Sequence, residues 1–470
     1  MSLIMTITSV HLKKLFGNRD ASVEFDAYPP ITYVFGENGS GKSTVLKLLA
    51  AIFDPARRSD LLYNFDLEEA AVEMLSGEKL SLEWRESEVA EQGGAQQAQQ
   101  IPGLKLAQFH RKAIVNFTLE QDGQSFTGSF IAPPEDLVAP LLRRQLLQWR
   151  DQGEEIEPDA MARFVCQELG VESFEHSWSD ELRLFLAGFR TILISTERLA
   201  REEGEYTRLE RTGRLVRRTS SAVAAASKKI GDYVQNEVAA QGRYTNQKDA
   251  RKIVEDVLTG TIDKSTSVED VYAVIGNVMN QEERLGKIGL LHDVNRDYEA
   301  DKAQNIKTLE LFQRQEMPAE YIVLLNAIYE ERLDNLSKFN VAAKRIEAFQ
   351  DILSEKYSRK SVVVQGNQGC AIVPDSGPNL DLEDLSSGEQ HLFVLFHKMI
   401  FIETADEVRP IILIDEPELS LNSSWLRGFT DNLRQIHEAN QAQFILATHT
   451  PFIATGNREL MSDFKVTHYS

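Results

Sequence analysis

The sequence predicts an α/β protein in which one head is assembled from both ends of the chain, with a β-rich lobe and a mostly helical insertion between. Three observations predict it. An apolar run, ITYVF, meets the glycine-rich loop GENGSGKST and then the helical pattern VLKLLAAIF over residues 31–53. The last hundred residues alternate helix and strand, and the apolar strand IILI ends on two acids, Asp415 and Glu416. Residues 200–357 are highly charged and read largely as helix, so the phosphate-binding motifs sit only at the two ends.

The elements follow in order. ITSVHL and ASVEF read as paired strands ahead of ITYVF. Residues 69–131 are β-rich, with one hairpin in VEMLSGEKLSLEW and another in AIVNFTLEQDGQSFTGSFI, where DG marks the turn. Between them, residues 91–103 (EQGGAQQAQQIPG) read as a polar, low-complexity loop. Residues 135–189 look helical, and RTILISTERL (190–199) reads as a buried strand ending on polar residues. In the middle, QKDARKIVEDVL and the stretch from Glu320 to Leu353 are the clearest helices. The second is long enough for a protruding arm, but it holds no strict heptad, so a long coiled coil is not expected. Residues 361–373 return to strand; then come LFVLFHKMIFIETA (helix), IILIDE (strand), SWLRGFTDNLRQIHEA (helix) and QFILAT (strand). The expected division is 1–135, 136–357 (which includes the head strand at 190–199) and 358–470.

Bulk composition sets limits. With 42% hydrophobic and 26% charged residues over 470 positions, the chain is ordinary for a soluble globular protein. No run of 18 apolar residues offers a membrane span, and the N-terminus lacks the order of a signal peptide. The two cysteines, Cys166 and Cys370, form neither a disulfide framework nor a CxxC pair, so a reducing cytoplasm is the expected compartment. A net charge of -21 argues against holding duplex DNA as the main task. A local basic patch remains open, because it acts over a Debye length of roughly 8 Å.

The motifs carry the chemistry. Gly36, Glu37, Asn38, Gly39, Ser40, Gly41, Lys42 and Ser43 fit G-x-x-x-x-G-K-[ST]. Glycines let backbone N–H groups turn inward to cradle phosphates; Lys42 reaches the β/γ oxygens, and the Ser43 hydroxyl suits Mg²⁺. Thr44 follows in the first helical turn. Asp415 falls at the carboxyl edge of a parallel sheet, placed to hold Mg²⁺, and Glu416 is placed to polarise the attacking water. In ATHTP, His449 stands just past a strand end, within reach of a γ-phosphate or that water. LSSGEQ (385–390) taken alone is a helix N-cap.

Together GENGSGKST, LSSGEQ, IILIDEP, the ELSLN stretch after it and ATHTP resemble the ABC ATPases of the SMC, RecF and OLD group, in order and spacing, over residues 3–60 and 380–456. The resemblance implies ATP and Mg²⁺ as ligands and a head-to-tail pair of heads, or a higher homo-oligomer. The signature of one subunit would then cap the nucleotide on the other, with Ser386, Ser387, Gly388, Glu389 and Ser420 as contacts in trans. Asn422 departs from the Asp or His common among relatives near that position. The glutamine loop has two candidates without distinctive context, Gln108 and Gln121. ISTERL (194–199) resembles a segment of OLD-like and defence-associated ATPases, in which Glu197 and Arg198 would serve structure, the interface or nucleotide sensing.

Missing parts narrow the relatives. The middle is too short for a repair ATPase with a zinc-hook coiled coil and has no CxxC; a transporter head lacks such an insertion; the 21 residues after His449 leave no room for an appended nuclease. The architecture most resembles the ATPase subunit of two-gene antiphage systems, of the AriA kind in PARIS or, second, the PtuA kind in Septu. That implies a regulatory ATPase holding a separate effector, a nuclease being the usual one, with no membrane partner. The alternative is a RecF-like repair or replication-coupled ATPase binding DNA directly. Arg208, Arg211, Arg214, Arg217 and Arg218 crowd into eleven residues, and on a helix most would share a face, although Gly213 weakens that helix. Such a patch fits DNA, RNA or an acidic DNA-mimicking trigger, or else a solvated face paired with neighbouring glutamates.

Overall fold

The computed structural model describes residues 5–85, 114–131, 174–195, 204–208, 215–219, 221–245, 266–291, 307, 318–402, 408–419, 423–426 and 428–469. The chain forms two compact units. One comprises Met1–Leu199, Ile402–His437 and Gln441–Ser470; the other comprises Ala200–Phe401 and Glu438–Asn440. The units part at 199 and 401, whereas composition alone divides the chain at 135 and 357.

The first unit contains two sheets. Strands β1 (Ile7–Leu15), β2 (Arg19–Glu24), β4 (Glu69–Met74), β5 (Lys79–Arg85), β6 (Ile114–Gln121), β7 (Gln124–Ile131), β8 (Glu175–His176) and β17 (Lys465–His468) form an eight-stranded antiparallel sheet, ordered β17-β2-β1-β4-β5-β6-β7-β8. The DG turn closes β6 and β7 as expected, with Asp122 at φ 51° and Gly123 at φ 77°, the left-handed pair a two-residue hairpin needs. The second sheet is parallel throughout. It runs β16 (Met461–Asp463), β3 (Ile31–Phe35), β15 (Gln443–Thr448), β14 (Arg409–Asp415) and β9 (Phe189–Ser195). Such a sheet needs strands apolar on both faces, and Ile411 to Ile414 are all fully buried. Helix α1 (Lys42–Phe53) packs on this sheet, with the Phe53 and Phe189 rings 4.5 Å apart. One core cluster joins α1 to both sheets through Leu49, Ile52, Val72, Phe117, Ile411 and Ile445. Helix α2 (Asp180–Ala187) adds Leu182 and Phe185 to it. The first unit is of mixed α/β class and is assembled from both ends of the chain, as the sequence predicts.

The second unit holds the hairpins β10–β11 (Gly204–Arg208, Leu215–Thr219) and β12–β13 (Lys360–Val364, Cys370–Pro374) with helices α3 (Ala222–Thr245), α4 (Val268–Lys287), α5 (Ala319–Ser337), α6 (Asn340–Lys356) and α7 (Ser387–Ile400). Phe349 of α6 meets Phe393 of α7 edge-on at 5.1 Å. The Arg284 Nε donates to Glu347 at 2.6 Å, and the Arg332 Nε donates to buried Glu282 at 2.6 Å, tying α4 to α6 and to α5. None of the described helices is long and apolar enough to cross a membrane.

Three expectations are corrected. Arg208, Arg217 and Arg218 lie on strands rather than on a helix: β10 and β11 pair antiparallel, with Arg208 opposite Leu215, Arg217 opposite Tyr206 and Arg218 opposite Glu205. Arg211 and Arg214 lie outside the described residues. The long helix from Glu320 is two helices: the Ser337 hydroxyl donates back to Asp334 O at 2.6 Å, and Phe339 N–H bonds Leu336 O in a tighter i→i−3 turn. The stretch from Ser424 breaks at Gly428, whose φ of 71° starts helix α8 (Phe429–Asn440). The short strands β16 and β17 near the C-terminus carry no sequence signal strong enough to announce them. The loop at 91–103, most of the helical stretch at 135–189, QKDARKIVEDVL and Cys166 lie outside the described residues.

Candidate nucleotide site

The parallel sheet delivers its strand ends to one edge, where β3 runs into the phosphate loop, β14 ends on Asp415 and β15 ends on Thr448. The loop can form only because two of its glycines accept left-handed backbone: Gly39 has φ 73° and Gly41 φ 117°. A Cβ at Gly41 would stand 2.7 Å from the Leu15 Cδ2. The Ser40 hydroxyl is buried in the loop without a hydrogen-bond partner.

Lys42, only 4% exposed, donates to Gly36 O at 2.7 Å, to Glu37 O at 2.9 Å and to His449 Nδ1 at 3.2 Å. Burial pushes its pKa down, against the opposing pull of Glu416, Asp415 and Glu418. Because His449 Nδ1 faces an ammonium donor, the imidazole proton is assigned to Nε2, 3.0 Å from Glu416 Oε1. Ser43 Oγ donates to Asp415 Oδ1 at 2.8 Å. Glu416 occupies φ 50°, unusual for a side-chain-bearing residue, and is held there by its N–H bond to Ala447 O at 2.9 Å. These groups border a cavity of about 520 Å³ lined among others by Asn38, Lys42, Thr44, Glu416, Glu418 and His449. A nucleoside triphosphate suits this volume and its loop of inward N–H groups.

The donor set also fits Mg²⁺. Ser43 and Asp415 offer a hydroxyl and a carboxylate 2.8 Å apart. That is close to the edge of an octahedron with bonds of about 2.0–2.1 Å, and Mg²⁺ commonly takes one or two protein oxygens and completes its shell with phosphates and water. Among the described residues, no cluster of three or more His, Cys, Asp or Glu offers a rival metal cage.

The structure therefore brings together Gly36 to Thr44, Asp415, Glu416 and His449. The signature residues belong to the other unit. Ser386 caps α7: its Oγ accepts from Glu389 N at 3.4 Å while the Glu389 carboxylate takes the Ser386 N–H at 2.9 Å. Ser386 and Ser387 are exposed. Glu389 also pairs with Lys360 at 2.8 Å, and Tyr357 OH donates to Glu389 O at 2.7 Å. Burial raises the Glu389 pKa, but the bonds from Lys360 and Ser386 outweigh it and hold the carboxyl below its ordinary value. Gln121 closes the β6–β7 hairpin opposite Gln124 and does not line the cavity. Ser420, Asn422, Gln108, Glu197 and Arg198 lie outside the described residues.

Sequence reasoning missed two residues. Glu418 lines the cavity, and its signal was an acid two places after Glu416. Phe464 joins β16 to β17 and backs the loop: its Cβ lies 3.2 Å from a Cβ built on Gly36, and its ring 3.5 Å from one built on Gly41. Phe464 N–H donates to Phe35 O at 2.8 Å. No motif marks Phe464.

Comparison with known proteins places this edge in context. The family described as "AAA domain, putative AbiEii toxin, Type IV TA system" matches residues 254–455, which take in the signature, Asp415 and His449 but stop short of the phosphate loop. No curated protein matches the chain. Two SMC heads are found among solved structures. One, from Pyrococcus furiosus, is an Smc head domain with an extended coiled coil bound to the C-terminal domain of ScpA; it is 14% identical with a TM-score of 0.31, over 98% of this chain and 96% of that one. The other, the SMC head from Thermotoga maritima, is 12% identical with a TM-score of 0.32, over 99% and 100%. Overlap that loose decides nothing. The reading of this edge as a phosphate site rests on the chain's own sheet order and loop geometry.

Proposed function

We propose that this chain is an ATP-hydrolysing regulatory ATPase that assembles head to tail and controls a separate effector protein. The observation that carries the hydrolytic part is the bonded set at one sheet edge, in which Lys42 meets His449, His449 meets Glu416, and Ser43 meets Asp415. Lys42 leaves the loop carbonyls to bind the β/γ oxygens, and the backbone N–H groups of the loop hold the remaining phosphate charge. Ser43 and Asp415 would hold Mg²⁺, which would neutralise charge on the phosphates. Glu416 accepts a proton from the attacking water, and the His449 Nε2–H orients the carboxylate for that task.

The composite reading comes from the signature: Ser387 and the start of α7 would meet the nucleotide of another copy, where a helix N-terminus carrying roughly half a positive charge suits phosphate. The effector reading is supported by the architecture of two-gene antiphage ATPases and by the family description of a toxin in a type IV toxin–antitoxin system. A net charge of -21 favours a protein partner over direct DNA binding.

The test is Glu416→Gln. Phosphate release should fall roughly 100- to 1,000-fold, with ATP retained in a filter-binding assay and the assembled state enriched on a sizing column. Wild-type turnover by this variant would remove Glu416 from the base role. Copurification of the neighbouring gene product with wild type, and its loss with Lys42→Ala, tests the effector.

A further inference from the structure

The two catalytic groups, Glu416 and His449, stand on different strand ends, and their contact is only as good as the spacing of those ends. Glu418 lies in the short 3-10 turn that follows Glu416. Its Oε1 accepts two hydrogen bonds from the other strand's end, one from Thr448 Oγ1 at 2.7 Å and one from the backbone N–H of His449 at 2.9 Å. Thr448 Oγ1 in turn accepts from Thr450 N at 3.0 Å. One carboxylate oxygen therefore pins residues 448–450 to the turn after β14. The neighbouring main-chain bond, Glu416 N–H to Ala447 O, sits just inside the same crossing.

We infer that Glu418 is a positioning residue, a tether that sets the His449 ring at the height of the Glu416 carboxylate. The inference rests on the hydrolytic reading above but assigns a role to a residue to which the sequence reading gave none. Its chemistry explains the residue type. A backbone N–H and a hydroxyl both donate, so the tether must be an acceptor, and a side chain of glutamate length reaches across from the 3-10 turn. The second oxygen, Oε2, is buried without a hydrogen-bond partner. Both observed bonds fall on Oε1, so the carbonyl oxygen of a glutamine can make them. Geometry, rather than negative charge, is what Glu418 supplies.

The full-length protein with Glu418→Ala and Glu418→Gln separates these roles. Losing the tether should cut kcat roughly 10- to 100-fold, as expected for a slight misplacement of a catalytic group, with KM for ATP within about threefold of wild type. Glu418→Gln should recover most of that loss. Nitrogen NMR of labelled histidine, assigned with His449→Gln, gives a readout that does not need turnover. The Nε2-protonated signature of His449 should be present in wild type and Glu418→Gln and lost in Glu418→Ala. If wild type proves unable to hydrolyse ATP, the hydrolytic reading falls while the NMR arm still tests the tether. Wild-type kcat and an unchanged His449 signature in Glu418→Ala would overturn the inference. So would a glutamine variant as impaired as alanine while its melting temperature stays at the wild-type value, because the charge would then be the essential feature.

Discussion

At the edge of the parallel sheet, Lys42 bonds His449, His449 meets Glu416, and Ser43 bonds Asp415. At the start of α7, Ser386 and Ser387 stand exposed, and the hydrogen bonds that shape the helix start run among Ser386, Glu389 and Lys360. The first region holds its polar side chains in bonds to one another, which the proposed function would exchange for bonds to nucleotide. The second is a rigid helix start whose hydroxyl face is presented to solvent. In the proposed function preorganisation serves both: the first would hold catalytic groups against each other and the second would hold an anion-binding end open. Phosphate loop and signature thus read as unlike halves of one proposed site.

The sharpest way to break this contrast is Ser387→Arg. It should reduce ATP turnover roughly 100-fold or more while ATP binding by the isolated subunit stays within about twofold, because the variant leaves the loop's own bonds untouched. Parallel loss of binding would place Ser387 in the same site as Lys42 rather than in a complementary one.

Phe464→Ala probes the support behind the loop. A buried phenylalanine truncated to alanine costs about 3 kcal/mol or more, read by urea unfolding. ATP affinity should fall with it, since the ring backs Gly41. Phe349→Ala, in the core of the other unit, should cost similar stability with ATP affinity unchanged. Equal effects of the two on ATP would show that Phe464 acts only through global stability.

The smallest expected effects lie at α7. The Glu389 pKa is held below its ordinary value of 4.5. Its stabilising contribution is therefore complete above that value and is lost as pH falls through the lowered one. Thermal melts of wild type and Lys360→Met should differ at pH 6 and converge toward pH 3. Ser386→Ala should cost about 1 kcal/mol, the usual loss of a helix cap.

Much of the site was legible because phosphate binding forces glycines, a lysine and a hydroxyl into fixed spacing, and because Asp415 and Glu416 end a strand buried on both faces. The alternating polar and apolar pattern of the β-rich lobe was legible for the same local reason. The arginine cluster misled because its three-residue spacing fits a helix, while the antiparallel register of Tyr206 with Arg217 depends on pairing that one segment cannot display. Glu418 and Phe464 act across the fold, on residues 30 and more than 400 positions away, and such contacts leave no periodic trace in the chain. The break after Ser337 is a tighter turn in which Phe339 N–H bonds Leu336 O, and an apolar helical pattern hides it.

The most direct measurement is ATP turnover in a mixture of Lys42→Ala and Ser387→Arg proteins, each inactive alone. In a head-to-tail dimer that exchanges subunits freely, half the dimers are mixed and each carries one intact composite site. An equimolar mixture should therefore recover roughly a quarter of wild-type activity. Activity that stays at the level of the separate variants, with subunit exchange confirmed, would contradict a site shared between two copies.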